Sequence, residues 1–193
     1  MEMNIGIDID DTIADTTAQM LHYIKQEQAL QKAYSQEDDI LQKGKELLRG
    51  VALSEESKQF YKKYAKDVVL NVKPKQSVAQ KIQELKDKGH QIYIITTRGE
   101  KHFKGAYETT YDWLLEHHIA FDALICDANE KIEACKEKNI DIMIDDSIET
   151  CERLQENGID CIVMNSYFNE KDATKLRRVN TWEEVADYIK EKE

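Results

Sequence analysis

Apolar residues fall in short blocks along this chain, and the spacing within each block changes character at defined points. Met3-Asn4-Ile5-Gly6-Ile7 is a short, largely apolar run, and Asp8-Ile9-Asp10-Asp11-Thr12 follows at once. A buried strand that delivers carboxylates to a sheet edge has this form. Side chains two apart on a strand share a face, which starts Asp8 and Asp10 on one side. From about Thr16 the period turns helical, with Leu21, Ile24 and Leu30 on a stripe. Ile40-Leu41 with Leu47-Leu48 predicts a second helix that stops near Gly50. Ser54-Glu55-Glu56-Ser57 resembles a capped start for a third, with Phe60, Tyr61 and Tyr64 as its apolar side. Strand-like spacing is absent until Val68-Val69-Leu70, so residues 15–74 read as an all-helical insertion behind the first strand.

Pro74, the single proline, marks re-entry into a different pattern. A helix is predicted over about 75–88, with Val78, Ile82 and Leu85 on one face and Gly89 ending it. His90 to Gly99 reads as a strand whose tip carries Thr96, Thr97 and Arg98. A helix over 104–117, a strand over 121–126 and a short helix over 131–138 follow. Asp141 to Asp146 is again an apolar strand ending in acids. Ser147 caps a helix that Gly158 stops, residues 160–164 form a fifth strand, and Thr181-Trp182-Glu183-Glu184 opens the last helix. Strand and helix alternating over short links predict a parallel sheet covered by helices on both faces. The expected fold class is α/β, with a core of residues 1–14 and 75–193 and a helical insertion over 15–74.

Composition narrows the function classes. The 193 residues suit one domain with an insertion, and 41% hydrophobic with 34% charged residues is an ordinary globular balance. A net charge of −11 argues against binding nucleic acid backbones, which reward clustered Lys and Arg. It leaves room for a phosphorylated small molecule, because a bound divalent cation inverts the local field. No apolar stretch approaches the roughly 20 residues of a membrane span, and the N-terminus lacks a signal-peptide pattern. Cys126, Cys135, Cys151 and Cys161 form no C-x-x-C pair, Cys126 and Cys161 sit in apolar runs as small core residues, and the expectation is a cytoplasmic protein with reduced cysteines. The five histidines show no metal-ligand spacing, and most read as surface residues.

In an open α/β sheet, ligands bind beyond the carboxyl ends of the strands. Three strands here end in reactive side chains: Asp8/Asp10, Thr96/Thr97 and Asp145/Asp146, with Lys131 in a connection between the last two. Alone, each is as readable as a helix cap, a turn or a surface lysine. Together they make a chemical set. Acids hold a hard divalent cation through oxygen, a hydroxyl and an ammonium clamp phosphoryl oxygens, and a carboxylate can attack phosphorus. Neither a G-x-x-x-x-G-K-[ST] loop nor a G-x-G-x-x-G fingerprint is present.

Asp8-Ile9-Asp10-Asp11-Thr12 resembles the D-x-D-x-T signature of haloacid dehalogenase (HAD) superfamily phosphatases. Thr96, Lys131 and Asp145-Asp146 resemble the second, third and fourth motifs of that superfamily, in order. Within it the chain looks like the small bacterial proteins related to 5'(3')-deoxyribonucleotidases, although Asp11-Thr12 stands where those usually have Gly-Val. The resemblance implies a HAD-like Rossmannoid fold with a small helical cap after strand one. It implies Asp8 as nucleophile, Asp10 as acid and base, and Thr96 and Lys131 as phosphate clamps, with Lys136 as the alternative lysine. Mg²⁺ would sit between Asp8, the main-chain carbonyl of Asp10 and the Asp145-Asp146 pair, with Asp146 as the direct ligand and Asp145 holding Lys131 or a metal-bound water. Thr97 and Arg98 are candidate substrate contacts, and Tyr23, Tyr34, Phe60, Tyr61 or Tyr64 could stack on a base. The implied activity is a Mg²⁺-dependent phosphomonoesterase working through an aspartyl-phosphate, on a nucleoside monophosphate or another small phosphometabolite such as a sugar phosphate. A phospho-receiver domain uses similar groups, but it carries its aspartate on a middle strand and has no insertion after strand one.

Overall fold

Ile5 and Ile7 are fully buried on one face of β1 (Asn4–Ile7), the strand from which the rest of the sheet extends in both directions. The structure, a computed structural model, describes residues 2–26 and 55–193. Five further strands flank β1: β2 (Gln91–Ile95), β3 (Ala123–Ile125), β4 (Ile142–Asp145), β5 (Asp160–Met164) and β6 (Arg177–Val179). They form one parallel sheet in the order β3-β2-β1-β4-β5-β6. The described helices are α1 (Thr16–Gln26), α2 (Glu55–Asn71), α3 (Val78–Asp87), α4 (Ala106–Glu116), α5 (Lys131–Glu137), α6 (Ile148–Glu156) and α7 (Trp182–Lys192).

Strand alternation divides the core into two layers. Ile5, Ile7, Ile92, Ile94, Ile142, Ile144, Ile162 and Met164 face α3, α4 and α7, where Leu85, Trp113 and Trp182 meet them. Ile95, Met143, Cys161 and Val163 face α5 and α6, against Cys135, Cys151 and Leu154. Both faces are therefore covered, as the near-continuous apolar strands require. Gly89 and Gly158 end their helices with φ of +95° and +80°, and Ser147 and Thr181 cap the next ones through Thr150 N and Glu184 N.

The structure corrects or adds to the sequence reading at four points. Val68-Val69-Leu70 lies inside α2, because Val68 and Val69 are its buried face while Leu70 is exposed. β6 was not anticipated: at three residues, two of them Arg, it carries no apolar run. His90 is the exception among mostly superficial histidines: it is buried, its Nδ1 accepting the Met3 amide at 3.1 Å. Cys151 of α6 and Cys161 of β5 are joined as a disulfide, with Cα atoms 5.5 Å apart, where reduced cysteines were expected. The helix expected around residues 40–48, the Ser54 cap and Tyr34 lie outside the described residues.

The chain leaves the sheet and returns to it at one place. Ala14 pairs with Pro74, Asp15 N donates to Lys73 O at 3.0 Å, and Lys75 N donates to Ile13 O at 2.7 Å. Lys75 Nζ adds an ion pair to Asp15 at 3.0 Å. Both ends of the segment from 15 to 74 are thus pinned together beside Asp10. Beyond the pin, α2 packs against both α1 and α4, and Trp113 Nε1 of α4 donates to Val72 O at 2.9 Å.

Candidate active site

β1 lies between β2 and β4, and the connections from this centre leave toward opposite edges of the sheet. A crevice opens at such a switch point, beyond the carboxyl ends of the strands. Asp8 emerges there, its amide still in register with β4 through a 2.9 Å bond to Ile144 O. The chain then turns tightly, with Thr12, Ile13 and Ala14 amides all donating to Ile9 O. That turn keeps Asp8, Asp10 and Asp11 at the same strand tip.

Lys131, the first residue of α5, is buried and bridges two strands. Its Nζ lies 2.6 Å from Asp8 Oδ1 and 2.6 Å from Asp145 Oδ2. Asp145 Oδ1 accepts the Ser147 amide at 2.8 Å, so both oxygens of Asp145 are engaged by the protein. Asp146 is half-buried beside it, and Asp8, Asp145 and Asp146 each offer an oxygen within 4.8 Å of the others. Three carboxylates face one ammonium in a space largely closed to water. Burial pushes the Asp8 carboxyl up to about 7, against the pull of Lys131 and with the charges of Asp145 and Asp10 adding to the rise. Burial, then Asp145, Asp11 and Asp8, raise Asp146 well above the ordinary carboxylate range. Burial opposes the charge on Lys131, but Asp145 and Asp8 outweigh it and hold the ammonium far above its usual value.

This arrangement fits a divalent metal. Lys131 takes one oxygen of Asp8 and one of Asp145, and a cation answers the charge that remains on hard oxygen donors.

Asp10 has different surroundings. Arg98 Nε lies 3.2 and 3.1 Å from its two oxygens, and Arg98 Nη2 lies 2.6 Å from Oδ1. Thr16 Oγ1 also donates to Oδ1, at 2.6 Å. Burial alone would raise this carboxyl, but Arg98 and the Thr16 hydroxyl hold it below the ordinary range. Thr96 is fully buried at the tip of β2, and its Oγ1 accepts the Arg98 amide at 3.2 Å. A hydroxyl that accepts one bond keeps its own proton free to donate.

Asp11 is in the left-handed region, with φ of 57°. Glycine suits such a position, and Asp is among the few side chains that also adopt it. Here the side chain accepts the Thr17 amide at 2.8 Å and the Thr17 hydroxyl, tying the turn to the start of α1. Burial raises the Asp11 carboxyl while those two bonds oppose it.

The structure therefore gathers Asp8, Asp10, Thr96, Arg98, Lys131, Asp145 and Asp146 at one sheet edge. Thr97 is exposed, and Lys136 points away, donating to Asn157 Oδ1 at 2.7 Å on the surface. Tyr23 and Tyr64 stack on each other at 4.9 Å between α1 and α2. Sequence reasoning missed Thr16 and Thr17 as partners of the acids. It also missed Asn169, which is buried and donates to Asp146 O at 2.7 Å and Met164 O at 2.8 Å while Arg178 donates to it. A Thr-Thr pair opening a helix six residues after Asp10-Asp11 is the signal that could have found the first two. No local pattern marks Asn169, whose bonds span loops that only the fold brings together.

A model of the family described as "5' nucleotidase, deoxy (Pyrimidine), cytosolic type C protein" matches residues 2–193. A Bacillus cereus protein provisionally named a nucleotidase is 27% identical over 195 residues, covering 97% of this chain and 98% of the relative. Among solved structures, a predicted phosphatase from Clostridium acetobutylicum superposes with a TM-score of 0.70 at 19% identity, covering 99% of this chain and 100% of that one. A haloacid dehalogenase-like hydrolase from Streptococcus pneumoniae gives 0.67 at 18% identity, over 97% and 98% of the two chains.

Proposed function

Because this chain belongs to the cytosolic type C 5'-deoxynucleotidase family, and is thus a HAD-type phosphoric monoester hydrolase, we propose that it hydrolyses nucleoside monophosphates through an aspartyl-phosphate on Asp8. The observation that carries this reading is Asp8 itself: a buried carboxylate at a strand tip, with one oxygen on Lys131 and the acids of β4 alongside. An attacking carboxylate needs its approach fixed and its charge balanced, and Lys131 supplies both.

An Asp8 oxygen attacks phosphorus, and the bond from phosphorus to the ester oxygen breaks. Asp10, protonated once the negative charge of the bound phosphate offsets Arg98, gives its proton to that departing oxygen. Asp10, now a carboxylate, takes a proton from water as the water oxygen attacks phosphorus. The phosphorus–Asp8 bond then breaks, which restores both aspartates and releases inorganic phosphate. Lys131 and the free proton of the Thr96 hydroxyl hold the equatorial oxygens in both steps. Asp8, the Asp10 carbonyl and Asp146 would hold Mg²⁺, with Asp145 steadying Lys131. When bound, the ion supplies positive charge against the charge that develops on the transferring phosphoryl group.

The segment 15–74 acts as a cap over this site, which the pinned pair of chain ends beside Asp10 supports. The family description points to pyrimidine deoxyribonucleotides as first substrates and to a cytosolic setting. Among the described residues, no helix is long and apolar enough to cross a membrane.

Purified protein with Mg²⁺ is expected to release phosphate from deoxyribonucleoside monophosphates, and a chelator to stop it. Asp8→Asn should lower turnover by at least about 10³-fold while circular dichroism stays unchanged. Turnover in that variant near the wild-type rate would remove Asp8 as nucleophile. Rates on sugar phosphates above those on nucleotides would transfer the same site to a different metabolite.

A further inference from the structure

Asp10 must turn one particular oxygen toward the substrate in order to pass a proton, and its two oxygens are not equivalent here. Oδ1 receives Thr16 Oγ1 at 2.6 Å, Arg98 Nη2 at 2.6 Å and Arg98 Nε at 3.2 Å, whereas Oδ2 receives only Arg98 Nε, at 3.1 Å. A carboxylate oxygen has two lone pairs, so Oδ1 is saturated and Oδ2 keeps one free. The guanidinium responsible is not a loose surface group. Arg98 is 5% exposed, and its Cζ lies 5.8 Å from the centre of the Trp113 ring.

The Arg98 backbone is clamped on both sides. Its amide donates to Thr96 Oγ1 at 3.2 Å and its carbonyl accepts the Asp127 amide at 2.8 Å. Asp127, in the left-handed region with φ of 55°, begins the loop that leads to α5. Ala128 N donates to Thr96 O at 3.0 Å and locks that loop onto the tip of β2. A rigid fork on a fixed backbone holds a carboxylate to a narrow range of angles.

We propose that Arg98 is the positioning residue of Asp10: its fork, with the Thr16 hydroxyl, turns Oδ1 inward and leaves Oδ2 to give the proton to the leaving oxygen and to take one from the attacking water. This rests on the phosphatase reading above and adds which side chain sets the acid–base geometry and which oxygen acts. In this role Arg98 works through Asp10, which takes its Nε and Nη2, while Nη1 is buried without a partner among the described residues. Lysine offers a point charge in place of the fork and does not reproduce the effect.

The test exploits leaving-group chemistry. p-Nitrophenolate departs as a stable anion and needs little help from an acid, whereas the alkoxide of a nucleoside monophosphate needs the proton. In Arg98→Gln, kcat/KM on the nucleotide, which reports transfer to Asp8 and not the shared hydrolysis step, is expected to fall on the order of 10²-fold, with the fall on p-nitrophenyl phosphate at least tenfold smaller. Arg98→Lys should show the same split. Taking the ratio of the two rates within one preparation makes it independent of the fraction folded. Equal falls on the two substrates, full recovery by lysine, or a raised KM with kcat retained would overturn the assignment, the last by making Arg98 a direct phosphate ligand. Failure of the underlying reading looks different, since the wild-type protein would then turn over neither substrate.

Discussion

Lys131 Nζ sits 2.6 Å from Asp8 Oδ1, and both side chains are 7% exposed. The same ammonium reaches Asp145 at 2.6 Å, so one cation neutralises two strand tips. Removing one partner from a buried ion pair leaves uncompensated charge, at a cost of roughly 3–5 kcal/mol. Lys131→Met keeps the stem and deletes the charge. Its unfolding free energy in urea with chelator should drop by about that amount. Mg²⁺ should recover more stability in the variant than in wild type, because the cation supplies the positive charge the acids have lost. A variant as stable as wild type in chelator would overturn the charge pairing of Lys131 with these acids.

Gly99 and Asp127 meet where the tip of β2 faces the loop before α5. A β-carbon at Gly99 would overlap both Oδ1 and Oδ2 of Asp127, so an alanine there must expel the carboxylate. That loop also holds the Arg98 carbonyl. Gly99→Ala is expected to cost about 1–3 kcal/mol of stability and to lower activity. Removing the obstacle with Asp127→Ala in the same chain should return part of the loss, a coupling that a double-mutant cycle by chemical denaturation measures directly. Strictly additive effects would show that the clash is relieved elsewhere.

How far the sequence reaches can be judged from these residues. Period-two strands read correctly where both faces carry apolar residues, as in Asp160–Met164, since burial on two sides leaves a continuous run. β6 escaped because Arg177 and Arg178 occupy two of its three positions; it pairs with β5 through backbone bonds that sequence does not display. Val68-Val69-Leu70 suggests a strand on β-branched content, but the helix-packing face of α2 decides it. At the site, Asp8, Asp10, Thr96, Lys131 and Asp145-Asp146 were legible because each stands at a strand end or just after one. Arg98 was legible only as a candidate contact, and its hold on Asp10, 88 residues away, depends on β1 and β2 being neighbours. The Cys151–Cys161 pairing likewise depends on α6 folding back over β5.

Thr12 gives a prediction with an unusual sign. It is fully buried, and among the described residues its hydroxyl has no hydrogen-bond partner. Its backbone is well used: the amide donates to Ile9 O at 3.2 Å and the carbonyl accepts Trp182 Nε1 at 3.0 Å. The position therefore needs the β-branched shape and the main chain, and the oxygen only adds the cost of desolvating an unpaired polar group. Valine keeps the shape and replaces the hydroxyl with a methyl, and it is the residue that the resembling nucleotidases usually carry here. Thr12→Val should raise the unfolding free energy by about 1–2 kcal/mol. Thr12→Ser, which keeps the hydroxyl and loses the methyl, should lower it by about 1 kcal/mol. Paired urea titrations read both at once. Destabilisation by valine would mean that the Thr12 hydroxyl is bonded to a buried water at the foot of the catalytic turn.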